Sequence, residues 1–369
     1  MKSAWKYLRW LLLLLVILQL PFLFRLWETR QLAGYLRHLP ERVVLENPFE
    51  DVRGSVHVHS AAGGHSLGTY PEIIQAAKQA GYRYIFITEH PREPALFNQI
   101  QDPDLFIVYG TEKVLEDGKR ELVDPDSKVR ILLLYERGEI PEDATGLEVF
   151  NIAESARSSN NLWGWGTWLY HEPFYPDLFF FHAWTLEPEN FQLWDRATAS
   201  GRKLSAVGGN DAHANIGLVV ATGAGKRLVS VFVDPYVRSF EFLTNHLQLA
   251  SGTELNVSTV VDALARGASY ICFERIADPT GFAFFARNEG KVMPMGSTVV
   301  PGSELVFQSP IPVRFRLVRP GGHPLVLEGT RFEYQAVDKG RYRVEVYMLD
   351  PPSLLRGKPW ILSNPIYVE

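Results

Sequence analysis

The sequence contains a single cysteine, Cys272, among 369 residues. One thiol cannot form an intrachain disulfide or a thiolate metal cluster, so any metal ion must be held by histidines and carboxylates. Basic residues are also scarce: 37 Lys and Arg stand against 42 Asp and Glu, which gives a net charge of −5. Because such a chain has no basic excess to neutralise phosphates, we expect no nucleic-acid partner.

One long hydrophobic run is present, at the N-terminus. An uncharged stretch from Trp10 to Phe24 lies between Arg9 and Arg25. Its 15 residues would rise about 22 Å as a helix, less than the roughly 30 Å of a hydrocarbon core. Snorkelling of the two arginines would make up the difference, so we predict an uncleaved, single-pass anchor in the inner membrane. The alternative is a signal peptide whose removal leaves a secreted or periplasmic protein, although no small-residue cleavage site follows Phe24. The basic flank places the N-terminus inside and the body outside the cytoplasm.

The chain divides by pattern into four parts. Residues 1–27 form the membrane segment, and residues 28–52 resemble a polar stalk. Residues 53–285 alternate apolar strands with amphipathic helices, as in TYPEIIQAAKQAG followed by YRYIFITEH, which predicts parallel strands with crossover helices in an open sheet or a barrel. Residues 286–369 show alternating strands between Pro and Gly turns and no helical period, which predicts a small all-β sandwich.

Histidines and acidic residues recur where the predicted strands end. His57 and His59 are two positions apart, so a strand would point both to one side. The other polar residues in such positions are His65, Glu89, His90, Glu112, Glu148, Asn151, His171, Asp211 and His213. The carboxyl ends of parallel strands meet at one edge, where α/β folds bind ligands. Carboxylates gathered there would repel one another unless cations held them, and imidazole with carboxylate ligands suits Zn, Mn or Fe.

The ordered motifs HVHSAAGGHS, PEIIQAAKQAGYRYIFITEH, GTE, LYHEP and GGNDAH resemble the PHP (polymerase and histidinol phosphatase) superfamily over roughly residues 50–275. The resemblance implies an α/β fold, a distorted (β/α)₇ barrel, with two or three divalent metals at the strand ends. It implies a first metal bound by His57, His59, Glu112 and Asp211. It implies a second metal that shares Glu112 and takes His171, and a third bound by His65, His90 and His213. The residues implied as catalytic are Glu89, Asp211 and His213, with Glu89 standing where the family usually has Asp.

One departure from that family concerns the second metal. The family usually supplies a further histidine between the bridging glutamate and the residue matching His171, but none lies between His90 and His171. Glu148 or Asn151 could substitute, or the site could hold fewer than three metals. The tail motifs VVDALARGASYI, GRYRVEVY and PWILSNPIYV resemble the carbaryl-hydrolase-like branch of these proteins.

The predicted function is metal-assisted hydrolysis, in which a metal-bound hydroxide attacks a phosphoester. Arg92 and Lys113 are the cations nearest to the motifs and are candidates for binding the substrate. One alternative is a hydrolase of carboxylic or carbamic esters, and another is a non-catalytic envelope binding or scaffold protein with a degenerate barrel. The aromatic stretch around His171 is either a bulky wall or an apolar cleft for a small-molecule or lipid-like ester. We interpret His182 as a packing or pocket-lining residue, and His38, His246 and His323 as bystanders.

Overall fold

The structure is a computed structural model, and it describes residues 2–64, 66–90, 101–133, 139–158, 161–214, 217–221, 227–232 and 234–369. Within this part of the chain, seven strands form a barrel: β1 (Phe49–Val58), β2 (Tyr84–Glu89), β3 (Phe106–Val114), β4 (Arg120–Val123), β5 (Arg130–Leu133), β6 (Gly146–Asn151) and β7 (Ser205–Ala212). Each strand pairs with the next in sequence, and β1 pairs with both β2 and β7, so the ring closes.

The strand directions around the ring are mixed. β4 runs antiparallel to both β3 and β5, whereas the other five pairs in the ring are parallel. The connections 115–119 and 124–129 on either side of β4 are too short for a crossover, which needs a dozen or more residues, so the chain must reverse at each. The prediction of a mixed α/β barrel is confirmed in this coarse form. The expected regular alternation of parallel strands and helices is wrong at β4.

Eight helices are described: α1 (Lys2–Arg37), α2 (Tyr70–Gln79), α3 (Ile152–Ser158), α4 (Leu162–His171), α5 (Phe180–Ala183), α6 (Pro188–Ala199), α7 (Tyr236–Phe242) and α8 (Val257–Arg266). Local sequence explains α2 well. Thr69 and Glu72 form a capping box at its start, Ile73 and Ala77 are fully buried on one face, and Gly81 follows its end with φ +72°. The sequence predicted this helix from its periodicity.

The C-terminal strands continue the barrel sheet. They are β10 (Thr244–Ala250), β11 (Ser269–Cys272), β12 (Ala283–Asn288), β13 (Lys291–Pro294), β14 (Thr298–Val299), β15 (Ser303–Val318), β16 (Leu325–Ala336), β17 (Gly340–Tyr347), β18 (Ile361–Ser363) and β19 (Ile366–Val368). Barrel strand β1 pairs with β10, β10 with β11, β11 with β18, and β18 with β17. Strands β8 (Gly217–Ala221) and β9 (Arg227–Phe232) form a separate two-stranded sheet.

The expected part boundaries fall inside elements. Position 285/286 lies within β12, position 52/53 lies within β1, and position 27/28 lies within α1. The C-terminal region from Ala283 onward therefore consists of strands without α-helices, as expected. These strands are nevertheless hydrogen-bonded into the barrel sheet through β10 and β11. A separate sandwich domain stays a prediction.

Helix α1 has two different halves. Its N-terminal half is apolar and exposed, with Leu11, Leu15 and Ile17 46–53% exposed, and the helix is long and apolar enough to span a membrane. In its C-terminal half, Thr29 and Leu32 are completely buried against the body. The predicted polar stalk is thus partly a packed helix, because Leu32 contributes to the main hydrophobic core.

Candidate metal centre

Two groups of buried side chains lie at the carboxyl ends of the barrel strands. His57, His59 and Glu112 place one ligand atom each within 4.8 Å of one another, and His59, Asp211 and His213 do the same. His59 is shared by the two groups, so they form one continuous cluster. His90 joins at the edge, with its ring stacked 5.2 Å from that of His59. The structure therefore brings together residues from four separate stretches of the chain.

The distances within the cluster are those of ligands that surround an ion. The Nε2 atom of His59 lies 3.2 Å from Glu112 Oε2 and 3.3 Å from Asp211 Oδ1. The Nε2 atom of His57 lies 3.4 and 3.5 Å from the same two oxygens. Two ligands of one tetrahedral ion lie about 3.3 Å apart when each is about 2 Å from it, whereas a charge-assisted hydrogen bond would be about 2.8 Å. The donor set therefore fits a divalent cation.

Backbone distortion places two of these side chains. His57 and Asp211 have φ +66° and +45°, left-handed values that are rare outside glycine. The register shifts between Val56 and Val58 in the pairing of β1 with both of its barrel neighbours. The proximity expected for His57 and His59 is observed, with ring centroids 5.0 Å apart, but a bulge produces it and not simple strand alternation.

Glu148 orients His57 rather than joining the ligand cluster directly. Its Oε2 lies 2.6 Å from His57 Nδ1, and its Oε1 accepts a hydrogen bond of 2.8 Å from Asn151 Nδ2. A carboxylate on the far ring nitrogen fixes the tautomer and leaves Nε2 as the ligand atom. Gly209 makes this contact feasible, because a Cβ at that position would lie 1.8 Å from Glu148 Oε2. Glu148 and Asn151 therefore lie behind His57, on the Nδ1 side of its ring, and a ligand role for either residue stays a prediction.

Each cluster carboxylate also bonds an arginine. Arg120 Nη1 donates to Glu112 Oε1 at 2.9 Å, and Arg157 Nη2 donates to Asp211 Oδ2 at 3.1 Å. The two arginine side chains are 38% and 52% exposed, so they lie at the rim of the site. Sequence reasoning missed both. Arg120 could have been found from the short β3–β4 turn, which brings it back beside Glu112. Nothing in the sequence around Arg157 predicts its contact with Asp211.

The charges in the cluster stabilise one another. Burial alone would lower the pKa of His57, but the carboxylates of Glu148 and Asp211 outweigh it and raise that pKa well above its ordinary value. Burial would raise the pKa of Glu112, but the adjacent imidazoles of His57 and His59 hold it far below its ordinary value. Burial also opposes ionisation of Asp211, and the charge of His57 still keeps that pKa low. Both carboxylates are therefore ionised, as metal ligands must be.

Glu89 lies beside the cluster and supports it. It is 2% exposed, and its Oε1 accepts hydrogen bonds from the Ser60 backbone N–H at 2.8 Å and from the Tyr70 hydroxyl at 3.4 Å. Burial raises its pKa despite the Ser60 hydrogen bond. These contacts fix the chain immediately after His59. The catalytic role expected for Glu89 stays a prediction.

His171 lies elsewhere, contrary to the role that the family resemblance implied. Its Nδ1 lies 2.6 Å from the Thr167 carbonyl oxygen, and its Nε2 lies 2.6 Å from Thr29 Oγ1 on helix α1. The same hydroxyl lies 2.8 Å from His182 Nε2. Both ring nitrogens of His171 are thus engaged in joining α4 to α1. The assignment of His171 to a second metal is not supported, since α4 carries it toward α1.

Three further candidates remain to be placed. His65 and Arg92 lie outside the described residues. Lys113 is exposed on β3, next to the buried Glu112. Because neighbouring residues on a strand face opposite sides, Lys113 points away from the side that carries Glu112.

His246, expected to be a bystander, is the centre of a second buried network. Its Nδ1 lies 2.7 Å from Asp51 Oδ1, its Nε2 lies 2.8 Å from Glu274 Oε1, and its ring stacks on Tyr270. Burial would lower the pKa of His246, but the charge of Asp51 and its hydrogen bonds raise it to about 9. This buried imidazolium links β1, β10 and β11.

Residues 64–68, GHSLG, match the Gly-x-Ser-x-Gly pattern of serine hydrolases, which the metal-based interpretation overlooks. The nucleophile of such enzymes sits on a turn from a strand into a helix and faces an imidazole. Ser66 instead follows a short 3₁₀ helix, and its hydroxyl bonds the His213 carbonyl and lies 3.0 Å from the Tyr236 hydroxyl. Its position does not suit a nucleophile.

Comparison with known proteins finds distant likeness only among solved structures. No protein-family model matches the chain, and no curated protein sequence matches it. Among solved structures, the chain is similar to a two-domain protein from Bacteroides vulgatus that contains a predicted PHP-like metal-dependent phosphoesterase. Identity is 12%, with 89% of this chain and 98% of that chain covered, and the TM-score is 0.34. A TM-score this low carries no argument about function, and nothing in the comparisons bears on the carbaryl-hydrolase-like branch.

Proposed function

We propose that the chain is a divalent-metal-dependent hydrolase. The ligands that the geometry supports are His57, His59, His90, Glu112, Asp211 and His213, and suitable ions are Zn, Mn or Fe. The sharing of His59 between two buried ligand groups is the observation that carries this proposal, and it suits two adjacent ions. A bound divalent ion would lower the pKa of a coordinated water toward neutrality and offset charge on a substrate oxygen.

The chain's own residues prepare the site for that chemistry. Glu148 holds the His57 ring so that its Nε2 faces Glu112 and Asp211. The rigid barrel strands fix the ligand positions before any substrate arrives, which reduces the cost of ordering them.

A phosphoester is the preferred substrate class, and an uncharged carboxylic or carbamic ester is the second candidate. The two rim arginines favour the first, because Arg120 and Arg157 place exposed guanidinium groups beside the cluster carboxylates. Guanidinium groups bind phosphate oxygens in a bidentate manner, so exposed guanidinium groups at the rim suit an anionic substrate better than an uncharged ester. We therefore add Arg120 and Arg157 to the proposed substrate-binding residues and prefer them to Lys113, while Arg92, outside the described residues, stays a prediction.

We also propose that α1 anchors the protein in a membrane, with the barrel outside the cytoplasm. The packing of α1 supports an anchor over a removed signal peptide. Arg25 Nη1 donates to Thr167 Oγ1 at 2.6 Å, and Thr29 and Leu32 are completely buried in the body. Removal of the helix would expose the surface that these residues cover.

The test is metal analysis of the purified full chain, followed by assays with a phosphodiester, a phosphomonoester and an aryl ester. We expect at least one tightly bound transition metal per chain and phosphoesterase activity. His59→Ala should lose most of the metal and the activity, because His59 serves both ligand groups. The matched control is His323→Ala, which removes an exposed histidine and should change neither.

The outcomes separate the candidate functions. Metal binding with activity on the aryl ester alone would favour the carboxylic ester hydrolase. Less than one bound metal per chain, with none regained on adding Zn, Mn or Fe, would overturn the enzymatic proposal and leave a binding or scaffold protein.

A further inference from the structure

Helix α4 presents an unusual surface for an exterior helix of a soluble domain. Residues 162–170, LWGWGTWLY, contain no charged side chain. Four large apolar side chains of α4 and the turn after it are strongly exposed: Trp163 is 53%, Trp165 41%, Leu169 64% and Phe174 67% exposed. Large exposed apolar side chains gathered on one short segment mark a site of interaction. We call these four residues the aromatic patch.

The first charged residue after the helix is held against the body. Glu172 accepts hydrogen bonds from Trp168 Nε1 at 2.8 Å and from Arg238 at 3.1 and 3.2 Å. Its charge is therefore neutralised locally, so the patch is left without a charged side chain.

Helix α4 packs directly on the apolar part of α1. Phe22 of α1 lies 5.3 Å from the ring of Trp163 and stacks at 5.6 Å on Tyr170. Tyr170 also donates a hydrogen bond to Gln19. The approach is close because of Gly166, where a Cβ would lie 2.3 Å from the Phe22 ring. Small residues permit this kind of helix contact in membranes.

The position of these contacts along α1 determines how deeply α4 would lie in a bilayer that surrounds α1. Gln19 and Phe22 belong to the uncharged run that ends at Phe24. Gln19 is five residues before that end, which is about 8 Å along a helix. Interfacial helices bury their apolar face about 5–10 Å into the boundary between headgroups and acyl chains. A bilayer that surrounds α1 up to Phe24 would therefore reach α4 as well.

We propose that α4 is an interfacial membrane helix, and that the aromatic patch inserts into the bilayer beside the anchor. The occupant of this surface is lipid, because Trp163 of the patch contacts Phe22 of α1, and the next two residues of α1, Leu23 and Phe24, are 46% and 57% exposed. Tryptophan, the commonest residue of the patch, prefers the membrane interface. Two contacts with the bilayer, α1 and α4, fix the orientation of the barrel relative to the membrane. The proposal rests on the membrane attachment proposed above and is independent of the hydrolase activity.

The chain is well suited to a site-specific test. Its single cysteine, Cys272, is completely buried, so a thiol-reactive spin label would report only on cysteines introduced at exposed positions. The full chain is reconstituted in vesicles of phosphatidylcholine with a minor share of phosphatidylglycerol. Each label is then exposed to oxygen, which concentrates in the bilayer, and to a water-soluble nickel complex.

Labels are placed by Trp163→Cys and Leu169→Cys in the patch and by Leu15→Cys in the apolar run of α1. Val326→Cys and Val337→Cys are the matched controls, since these residues are 52% and 59% exposed on or next to the C-terminal strands. We expect the ratio of oxygen to nickel accessibility to be several-fold higher in the patch than at the controls, as at Leu15→Cys. If loss of the Phe22 contact makes Trp163→Cys unfold, Leu169→Cys carries the test alone, because that side chain is 64% exposed.

Each other outcome overturns the proposal. Patch labels that behave like the controls, with Leu15→Cys in the bilayer, would show an anchored protein whose α4 stays in water. Patch labels shielded from both reagents would show that protein, such as a second copy of this chain, covers the patch. An aqueous Leu15→Cys label would remove the membrane attachment itself. The metal analysis described above would still decide the hydrolase proposal.

Discussion

The carboxylate behind His57 gives a prediction that tests the metal centre without touching a ligand. Gly209→Ala would place a Cβ 1.8 Å from Glu148 Oε2, so the carboxylate must move and its 2.6 Å contact with His57 Nδ1 must break. Loss of such an outer partner costs about 10–100-fold in metal affinity. This corresponds to about 1.4–2.8 kcal/mol of binding free energy. We therefore expect Gly209→Ala to bind metal that much more weakly than the native chain.

The assay is competition with a metal-sensitive chelator, with the purified full chain as the metal donor. The matched control is Gly208→Ala, whose Cβ would meet only the apolar side chains of Ile271 and Leu243, at 3.0 Å. It tests the packing cost of an added methyl group on the same strand without moving Glu148.

Glu148→Gln completes the comparison. It removes the charge behind His57 while keeping the shape of the side chain, so it should weaken metal binding by a similar factor. Because the two changes break one contact, the double variant should be little worse than either single variant. Native metal affinity in a folded Gly209→Ala variant, or fully additive losses in the double variant, would refute the reasoning.

Three other predictions concern histidines and their partners. The pKa of about 9 for His246, against 6.5 in the unfolded chain, corresponds to about 3 kcal/mol of stability, or roughly 4 °C in Tm for a chain of this length. Since folding raises this pKa, the contribution to stability is complete below pH 6.5 and is lost as the pH rises through 9. The Tm values of the native chain and of His246→Gln should therefore converge as the pH rises through this range. A Tm difference that stays constant with pH would contradict the assignment. His171→Gln should leave metal content unchanged, whereas a loss like that of His59→Ala would restore the family-based assignment. Thr29→Val removes the hydroxyl next to His171 and His182 and should destabilise the fold by about 1–3 kcal/mol, measured as a lower Tm, with metal content unaffected.

Much of the fold could be read from local patterns. Helices α2 and α8 were predictable because each has its own cap, apolar face and terminal glycine: Asn256 accepts from the Thr259 N–H, and Gly267 ends α8 with φ +73°. The antiparallel direction of strand β4 was not predictable, since the residues of the strand, RELV, do not indicate its direction. That direction follows from the lengths of the turns on either side.

The sequence by itself determined the chemistry available to this protein. A chain with one cysteine and histidines at strand ends can bind metal only through imidazole and carboxylate, and a 15-residue uncharged run makes α1 the membrane candidate. Only the tertiary structure decided which residues meet. Ring closure brings β1 beside β7, bulges at His57 and Asp211 turn both side chains into one cluster, and helix packing carries His171 away toward Thr29. The physical reason is that residue patterns report local conformation, whereas a ligand cluster depends on contacts between segments far apart in the chain.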